Sequence, residues 1–286
     1  MQPSRRRLFV LLALITLTAT GAAFAQRRFG GGFRGGGFRE GSFPIILAPA
    51  DHMPDGNFVI CRLAYRRIRS EPSGIGWMTD YPYAEINLST RFSELTKTRV
   101  SRTPEGEPRH FVVQPTDPQI FNCPVVVASD AGTLGFTNEE AANLRDYLLK
   151  GGFIWFDDFW GDAAWSSFER EISKVMPPDQ YPLEAIDLAD PMLHGQFELD
   201  HIPQITNIQF WRMSGGRETS ERGPETATPY LHVIRDAKHR VVVVATHNTD
   251  VADSWEREGE DPEFFYQFSP NGYALGIDVL LHVMTH

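Results

Sequence analysis

The segment from residue 125 to residue 176 constrains the fold more than any other part of the chain, because it alternates apolar runs with amphipathic helices. Residues 125–129 and 153–156 are apolar runs of the length of buried strands. A helix signal follows each of them within a few residues. Alternation of this kind with short connections predicts a mostly parallel sheet with helices on both faces.

The helix between these two strands has signals at both ends. Thr137 and Glu140 form the T-x-x-E pattern of a capping box, and Gly151 supplies a left-handed C-terminal position. The helix after the second strand is predicted to begin with Asp162 as its N-cap and to stop before Pro177. The sequence therefore predicts the order strand, helix, strand, helix.

The other predicted strands share a short apolar run bounded by turn residues, and they are 58–65, 111–113, 204–210, 230–234 and 240–245. The last two are joined by a short turn and predict an antiparallel hairpin. One helix is predicted to open at Asp80. The last helix is predicted to begin with Ser269 as its cap and Pro270 in its first position.

Residues 1–25 have the pattern of a signal peptide, with three arginines, an apolar run at 8–18 and the cleavage signal Ala23-Phe24-Ala25. The apolar run is too short to span a membrane, so we expect an exported periplasmic or extracellular protein without a transmembrane span after cleavage. The arginines also fit a loose twin-arginine pattern, which leaves both export routes open. Residues 26–42 are rich in Gly, Arg and Phe and predict a disordered linker.

The remaining residues, 43–286, form one predicted domain, which is acidic. It contains 20 Lys and Arg residues against 36 Asp and Glu residues, a formal charge of −16. This charge argues against a nucleic-acid or anionic-membrane surface and suits cations or basic partners. Its two cysteines, Cys61 and Cys123, would be able to pair in an oxidising compartment. Each also lies within or beside an apolar run, so two buried thiols are equally consistent with the sequence.

Two adjacent carboxylates, Asp157 and Asp158, follow the strand at 153–156 and precede Trp160. Ligands bind at the carboxyl ends of strands in open α/β sheets, and carboxylate oxygens suit hard cations. Neighbouring residues of an extended chain point to opposite faces, so both carboxylates can aim at one atom only if the backbone turns between them. The alternative is that they cap the next helix or accept hydrogen bonds from loop amides.

A second candidate site follows the hairpin and contains His247, Asn248 and Asp250. A His and an Asp three residues apart can share a metal ion, or can act as a base and its orienting carboxylate. Alternatively, the polar residues make turns and His247 packs beneath the loop. Further ligand-binding candidates lie in one aromatic segment and one acidic loop: Trp77, Asp80, Tyr81, Trp255 and Glu256. A helix staple and a solvated loop are the structural alternatives for these segments.

Several catalytic signatures are absent from the sequence. It contains no G-x-S-x-G elbow, no G-x-x-x-x-G-K-[ST] phosphate loop and no H-E-x-x-H metal motif. These absences exclude the hydrolases, the phosphate-loop nucleotide-binding enzymes and the metalloproteases that these motifs define.

Combined, several motifs resemble the landmarks of an exported bacterial family, domain of unknown function 4159. The motifs are residues 77–82, 95–96, 147–153, 157–161, 168–169, 247–250 and 255–260. The resemblance implies a flavodoxin-like fold similar to class I glutamine amidotransferases, and it implies no established activity. Those amidotransferases carry a nucleophilic Cys after a central strand, whereas Ser129 follows the comparable strand here and Cys123 precedes it. Amidotransferase activity is therefore not predicted.

The leading interpretation is a non-catalytic domain that binds a small ligand or an envelope protein at the Asp157 end of the sheet, without a cofactor. The alternative is a metal-assisted hydrolase in which a divalent ion is held by Asp157, Asp158, His247 and Asp250. A distance separates the two interpretations. The hydrolase requires His247 and an Asp carboxylate within about 5 Å of a common point.

Overall fold

The computed structural model describes residues 45–51 and 53–286, so the predicted signal peptide and the linker at 26–42 lie outside the described residues. The strands are β1 (Ile60–Leu63), β2 (Arg66–Arg67), β3 (His110–Val113), β4 (Val125–Ala128), β5 (Leu134–Gly135), β6 (Ile154–Phe156), β7 (Leu183–Ala185), β8 (Tyr230–Arg235) and β9 (Val241–His247). The α-helices are α1 (Tyr83–Thr96), α2 (Asn138–Leu149), α3 (Gly161–Val175), α4 (Ile208–Met213), α5 (Asp253–Glu256) and α6 (Pro262–Thr285).

Seven of the strands form one mixed sheet in the order β3-β1-β4-β6-β9-β8-β7. The first five are parallel, β8 runs antiparallel to β9, and β7 runs antiparallel to β8. Strands β2 and β5 form a separate antiparallel pair. The predicted mostly parallel sheet and the predicted hairpin of β8 and β9 are confirmed.

Alternate residues of the central strands enter two separate hydrophobic cores. In β6, Trp155 packs in the core beneath α1, α4, α5 and α6, whereas Ile154 and Phe156 pack in the core beneath α2 and α3. This alternation follows from the two-residue repeat of an extended chain. Helices therefore cover both faces of the sheet, as the sequence predicts.

Helix α2 begins as its sequence pattern predicts. The Thr137 hydroxyl accepts a hydrogen bond from the Glu140 amide at 3.2 Å, and the Glu140 carboxylate accepts one from the Thr137 amide at 2.6 Å. Gly151, just after the helix, has a φ of 112°, which an L-residue rarely adopts. The capping box and the glycine stop are confirmed.

The prediction that Asp162 caps α3 is wrong. The helix begins one residue earlier, at Gly161, and its N-cap residue Trp160 makes no side-chain cap hydrogen bond. The Gly161 amide instead donates to Asn248 Oδ1 at 2.9 Å, from the segment after β9. A residue distant in the sequence therefore does the capping.

The predicted start of the last helix is also wrong. Helix α6 begins at Pro262, where the Asp261 side chain accepts hydrogen bonds from the first-turn amides, so Pro270 lies inside the helix. The earlier start lets Phe264 and Phe268 pack in the core. The predicted strand at 204–210 is wrong as well, because α4 begins at Ile208.

Cys61 and Cys123 form a disulfide, with an S–S distance of 1.99 Å. The bond joins β1 to the turn that precedes β4. Of the two alternatives left open by the sequence, the structure contains the paired one. Within the described part of the chain, no helix is both long and apolar enough to cross a lipid bilayer.

Candidate functional site

The carboxyl edge of the parallel strands gathers most of the polar residues that the sequence singles out. The chain leaves β1 for β3 on one side and then returns to β4 on the other, so the winding direction reverses at β1. Such a reversal opens a crevice at the carboxyl ends of the strands in open α/β sheets. The segments that follow β1, β4, β6 and β9 therefore meet at this edge.

Three carboxylates from three separate segments converge there. Asp80 precedes α1, Asp158 follows β6 and Asp250 follows β9, and their carboxylate oxygens lie within 4.8 Å of one another. Asp80 and Asp250 are buried, whereas Asp158 is partly exposed. Asp158 has a φ of 54°, so the backbone leaves the extended conformation at this residue.

Burial and mutual repulsion disfavour the charged form of all three carboxyls. Burial raises the pKa of Asp80 to about 7, with a further contribution from the Asp253 charge. The pKa of Asp158 is raised by desolvation first and by Asp80 second. The pKa of Asp250 is raised by burial and then by Asp158. The cluster therefore requires either protons or a positive charge.

One carboxylate oxygen of Asp80 makes no hydrogen bond in the described part of the chain. Asp80 Oδ2 is buried and makes no hydrogen bond to any residue that the structure describes, although the Ser129 hydroxyl and the Arg62 charge both oppose the rise in the pKa of Asp80. Buried polar atoms are almost always hydrogen-bonded, so an exception indicates a position where a water, a proton or an ion can bind. A hard cation satisfies such an oxygen directly, because Ca²⁺ and Mg²⁺ select oxygen ligands.

Asp157, the neighbour of Asp158, is occupied by structural hydrogen bonds. Its Oδ1 accepts from the Thr246 hydroxyl, and its Oδ2 accepts from the Ala252 amide at 2.7 Å. Burial raises its pKa to about 6, and these hydrogen bonds oppose the rise. Asp157 therefore ties β6 to β9 and to the segment before α5, and the structure separates the predicted carboxylate pair.

His247 lies outside the carboxylate cluster. Its ring stacks on Phe159, with centroids 5.1 Å apart, and lies 4.9 Å from the Trp165 ring. Burial lowers its pKa to about 4, which keeps the imidazole neutral. Among the described residues, His247 is not one of those that converge closely enough with Asp carboxylates to share a cation.

Asn248 is also held by structural hydrogen bonds. Besides capping α3, its Nδ2 donates to the Thr228 carbonyl at 3.0 Å. Its own amide donates to the Phe159 carbonyl at 3.0 Å. These bonds fasten the segment after β9 to the segment after β6, which positions Asp250 beside Asp158.

The predicted aromatic residues all pack against neighbouring side chains, and Trp160 contacts the carboxylate cluster itself. Trp160 is buried and donates from Nε1 to Asp158 Oδ1 at 3.1 Å. Tyr81 is buried, with its hydroxyl 2.9 Å from Nδ1 of His110. The Trp77 ring packs 6.1 Å from the Tyr81 ring.

The acidic loop at 255–260 is packed at its start and exposed at its end. Trp255 is buried, and its ring meets Trp155 edge to face at 5.4 Å. Glu256 forms a second carboxylate group with Asp80 and Asp253. Asp253 is already hydrogen-bonded through both oxygens, because Oδ2 accepts from the Ile208 amide and Oδ1 accepts from a guanidinium.

That guanidinium belongs to Arg257. Its Nε lies 3.2 Å from Asp253 Oδ1 and 2.8 Å from Glu256 Oε2. A permanent positive charge therefore contacts two carboxylates of this second group directly, whereas in the first trio the Arg62 charge opposes the rise in the pKa of Asp80. The first trio is the better cation site.

Sequence reasoning missed Arg62, which lies in β1. The side chain is fully buried and donates from Nε to Glu85 Oε1 at 2.5 Å. Its Nη1 donates to the Thr79 carbonyl at 3.0 Å and to Ser129 Oγ at 2.7 Å. The available signal was a single charged residue in the otherwise apolar run at 58–65.

The fold and the site define an α/β domain with a mostly parallel sheet and a carboxylate cluster at its carboxyl edge. The chain belongs to the family described as Domain of unknown function (DUF4159), whose model matches residues 60–284. None of the curated proteins compared with the chain matches it. The matched region includes every strand of the main sheet and all three carboxylates of the cluster.

Proposed function

We propose that the domain binds one divalent cation through Asp80, Asp158 and Asp250, and that it recognises a ligand at this cation-loaded edge. The observation that carries the proposal is the convergence of three carboxylates on one point, together with the unpartnered Asp80 Oδ2. Binding of a cation would relieve the repulsion that raises the pKa of these groups. Asp158 is the partly exposed member of the trio, so the cation would approach from its side.

One cation per chain is expected rather than two. Asp80 belongs to both carboxylate groups, but Arg257 already contacts Asp253 and Glu256. A second divalent ion would have to displace this guanidinium from its carboxylate partners. All the candidate ligands are oxygens, which favours Mg²⁺, Ca²⁺ or Mn²⁺ over zinc or copper.

Binding without catalysis is the function we favour over metal-assisted hydrolysis. The hydrolase alternative assigns metal binding to Asp157 and His247, in addition to Asp158 and Asp250. Both oxygens of Asp157 are engaged elsewhere, and the His247 ring lies within an aromatic stack. These contacts weigh against a hydrolytic centre that depends on this histidine as a ligand or base.

The finer fold that we propose is the flavodoxin-like arrangement of class I glutamine amidotransferases. Numbered in chain order, the five parallel strands have the spatial order 2-1-3-4-5, which supports this assignment. We also propose that the protein acts outside the cytoplasm, in the periplasm or beyond the cell. The Cys61–Cys123 disulfide supports an oxidising compartment, in agreement with the sequence pattern of residues 1–25.

Calorimetric titration of the full chain with Mg²⁺, Ca²⁺ and Mn²⁺ tests the cation proposal. We expect one ion per chain for the preferred cation, and at least about tenfold weaker binding after Asp80→Asn or Asp250→Asn. Asp162→Asn is the matched control, because Asp162 is exposed and lies outside the trio. Absence of binding by all three ions, or equal binding by Asp80→Asn and the control, would contradict the proposal.

A further inference from the structure

Arg62 has one donor group that its surroundings leave unused. The side chain is fully buried, and Nε and Nη1 are both hydrogen-bonded. Nη2 makes no hydrogen bond to any residue that the structure describes. A buried donor without an acceptor is costly, so this position favours a bound acceptor atom.

The hydrogen bonds of Arg62 place its guanidinium at the carboxyl edge. Nη1 bonds to the carbonyl of Thr79, the residue before Asp80, and to the hydroxyl of Ser129, the residue after β4. β1 and β4 are the neighbouring strands between which the winding direction changes. Arg62 therefore lies where the topology provides a ligand crevice, next to the proposed cation site.

The positive charge of Arg62 is paired with negative charges, but not all of its N–H donors are hydrogen-bonded. Glu85 is the main counter-charge, through a bond to Nε, and Asp80 contributes a further negative charge. Nη2 therefore lacks an acceptor, although the guanidinium has its counter-charge. Asp80 Oδ2 likewise makes no hydrogen bond to a described residue, although the Asp80 carboxylate is attracted by Arg62 and by the Ser129 hydroxyl.

We propose that the ligand of this site carries an oxyanion group, a carboxylate or a phosphate, that bridges the cation and Arg62. One ligand oxygen coordinates the cation held by Asp80, Asp158 and Asp250, and another accepts a hydrogen bond from Arg62 Nη2. The inference rests on the proposed cation binding. Planar guanidinium groups suit this role, because they match the geometry of carboxylate and phosphate oxygens.

The order of binding follows from the charges. At a pH at which these carboxyls are ionised, they repel an anion when the cation is absent, so the oxyanion should bind only after the cation. The cation supplies the attraction, and Nη2 supplies the orientation. Small anions should therefore show affinity for the loaded protein and none for the cation-free protein.

Titration of the full chain with inorganic phosphate and, separately, with acetate tests this inference, each with and without saturating Mg²⁺. We expect at least one of the two anions to bind the Mg²⁺-loaded protein. The anion that binds more tightly indicates whether the ligand carries a phosphate or a carboxylate group. Arg62→Lys keeps the positive charge beside Glu85 but removes the guanidinium fork. It should still bind one Mg²⁺ per chain and should bind the anion at least about tenfold more weakly.

Arg145→Lys is the matched control, because Arg145 bonds to carbonyls of residues 174 and 175, far from the carboxyl edge in the fold. If Arg62→Lys fails to fold, the charge-neutral pair Arg62→Gln with Glu85→Gln replaces it, with the same expected loss. If Mg²⁺ binds but neither anion does, this inference fails and the proposed cation binding stands. The same holds if Arg62→Lys binds the anion with the affinity of the wild type. Absence of Mg²⁺ binding overturns the proposed function as well.

Discussion

At the residue scale, two identical neighbours have different roles. Asp157 continues the strand direction and is fixed by hydrogen bonds to Thr246 and Ala252. Asp158 adopts a left-handed backbone conformation and joins the carboxylate cluster. The sequence shows that the two carboxylates can aim at one atom only if the backbone turns between them, but it does not show whether or where the backbone turns.

Left-handed conformations of residues other than glycine recur along this edge. Asp80, Asp130, Asp158 and Asn248 have φ values of 65°, 52°, 54° and 59°. Asn and Asp tolerate this conformation better than most residues, yet it remains uncommon. Such conformations concentrate at binding and active sites, where the surrounding contacts hold them in place.

Asp80→Asn should change the pH dependence of stability in the cation-free protein. The pKa of Asp80 is raised to about 7 from 3.8, mainly by burial, so the native state keeps a proton that the unfolded chain has lost between these values. The stabilising contribution of the protonated carboxyl therefore falls as pH rises through this window. The melting temperature of Asp80→Asn relative to wild type should rise between about pH 4 and about pH 7 and then level off.

Thermal denaturation in a chelator, with Asp162→Asn as control, measures this difference. The control variant should follow the wild-type pH profile, because Asp162 lies outside the cluster. If the difference in melting temperature between Asp80→Asn and wild type does not vary with pH, Asp80 has the same pKa in the folded and unfolded states.

At the element scale, helix ends with local signals are predictable and those with distant partners are not. The capping box of α2 involves residues three apart, and its sequence pattern finds it. Helix α3 is capped by Asn248, 87 residues from Gly161, which no local pattern reveals. The first turn of α3 then follows Trp160, whose indole contacts Asp158.

Thr137→Ala should destabilise the protein by about 1 kcal/mol, because it leaves the Glu140 amide without its hydroxyl acceptor. Thr137→Ser retains the hydroxyl and should remain close to wild type. Urea denaturation of both variants measures the free energies of unfolding. Equal losses in the two variants would show that the methyl group, and not the cap, matters at this position.

At the scale of the whole molecule, the sheet brings together groups that lie far apart in the chain. Asp80, Asp158 and Asp250 are separated by long stretches of sequence, and Arg62 lies in yet another element. The reversal of winding at β1 places all of them at one edge. The alternating strands and helices predict this edge, but not which acidic residues occupy it.

The disulfide also acts at this scale. It closes a loop of 62 residues, so removing it through a Cys61→Ala, Cys123→Ala double substitution should lower the free energy of unfolding by about 4 kcal/mol. Chemical denaturation compares the double variant with the wild type under oxidising and reducing conditions. A reductant should destabilise the wild type and leave the double variant unchanged. Equal stability of the two proteins under oxidising conditions would contradict the expected role of the bond.

The sequence by itself determined the order of the central strands and helices, the mostly parallel sheet and the hairpin of β8 and β9. These features depend on the spacing of apolar residues and on turn or capping residues a few positions apart, which act through local backbone conformation. It also placed Asp80, Asp158 and Asp250 among the candidates.

Only the tertiary structure decided which candidates meet. It assigned Asp157 to hydrogen bonds, packed His247 among aromatic rings and brought Arg62 to the edge. These outcomes depend on the turn at Asp158 and on contacts between segments that lie far apart in the chain. Local sequence patterns carry no information about such contacts, because burial and charge repulsion are set only when the segments pack together.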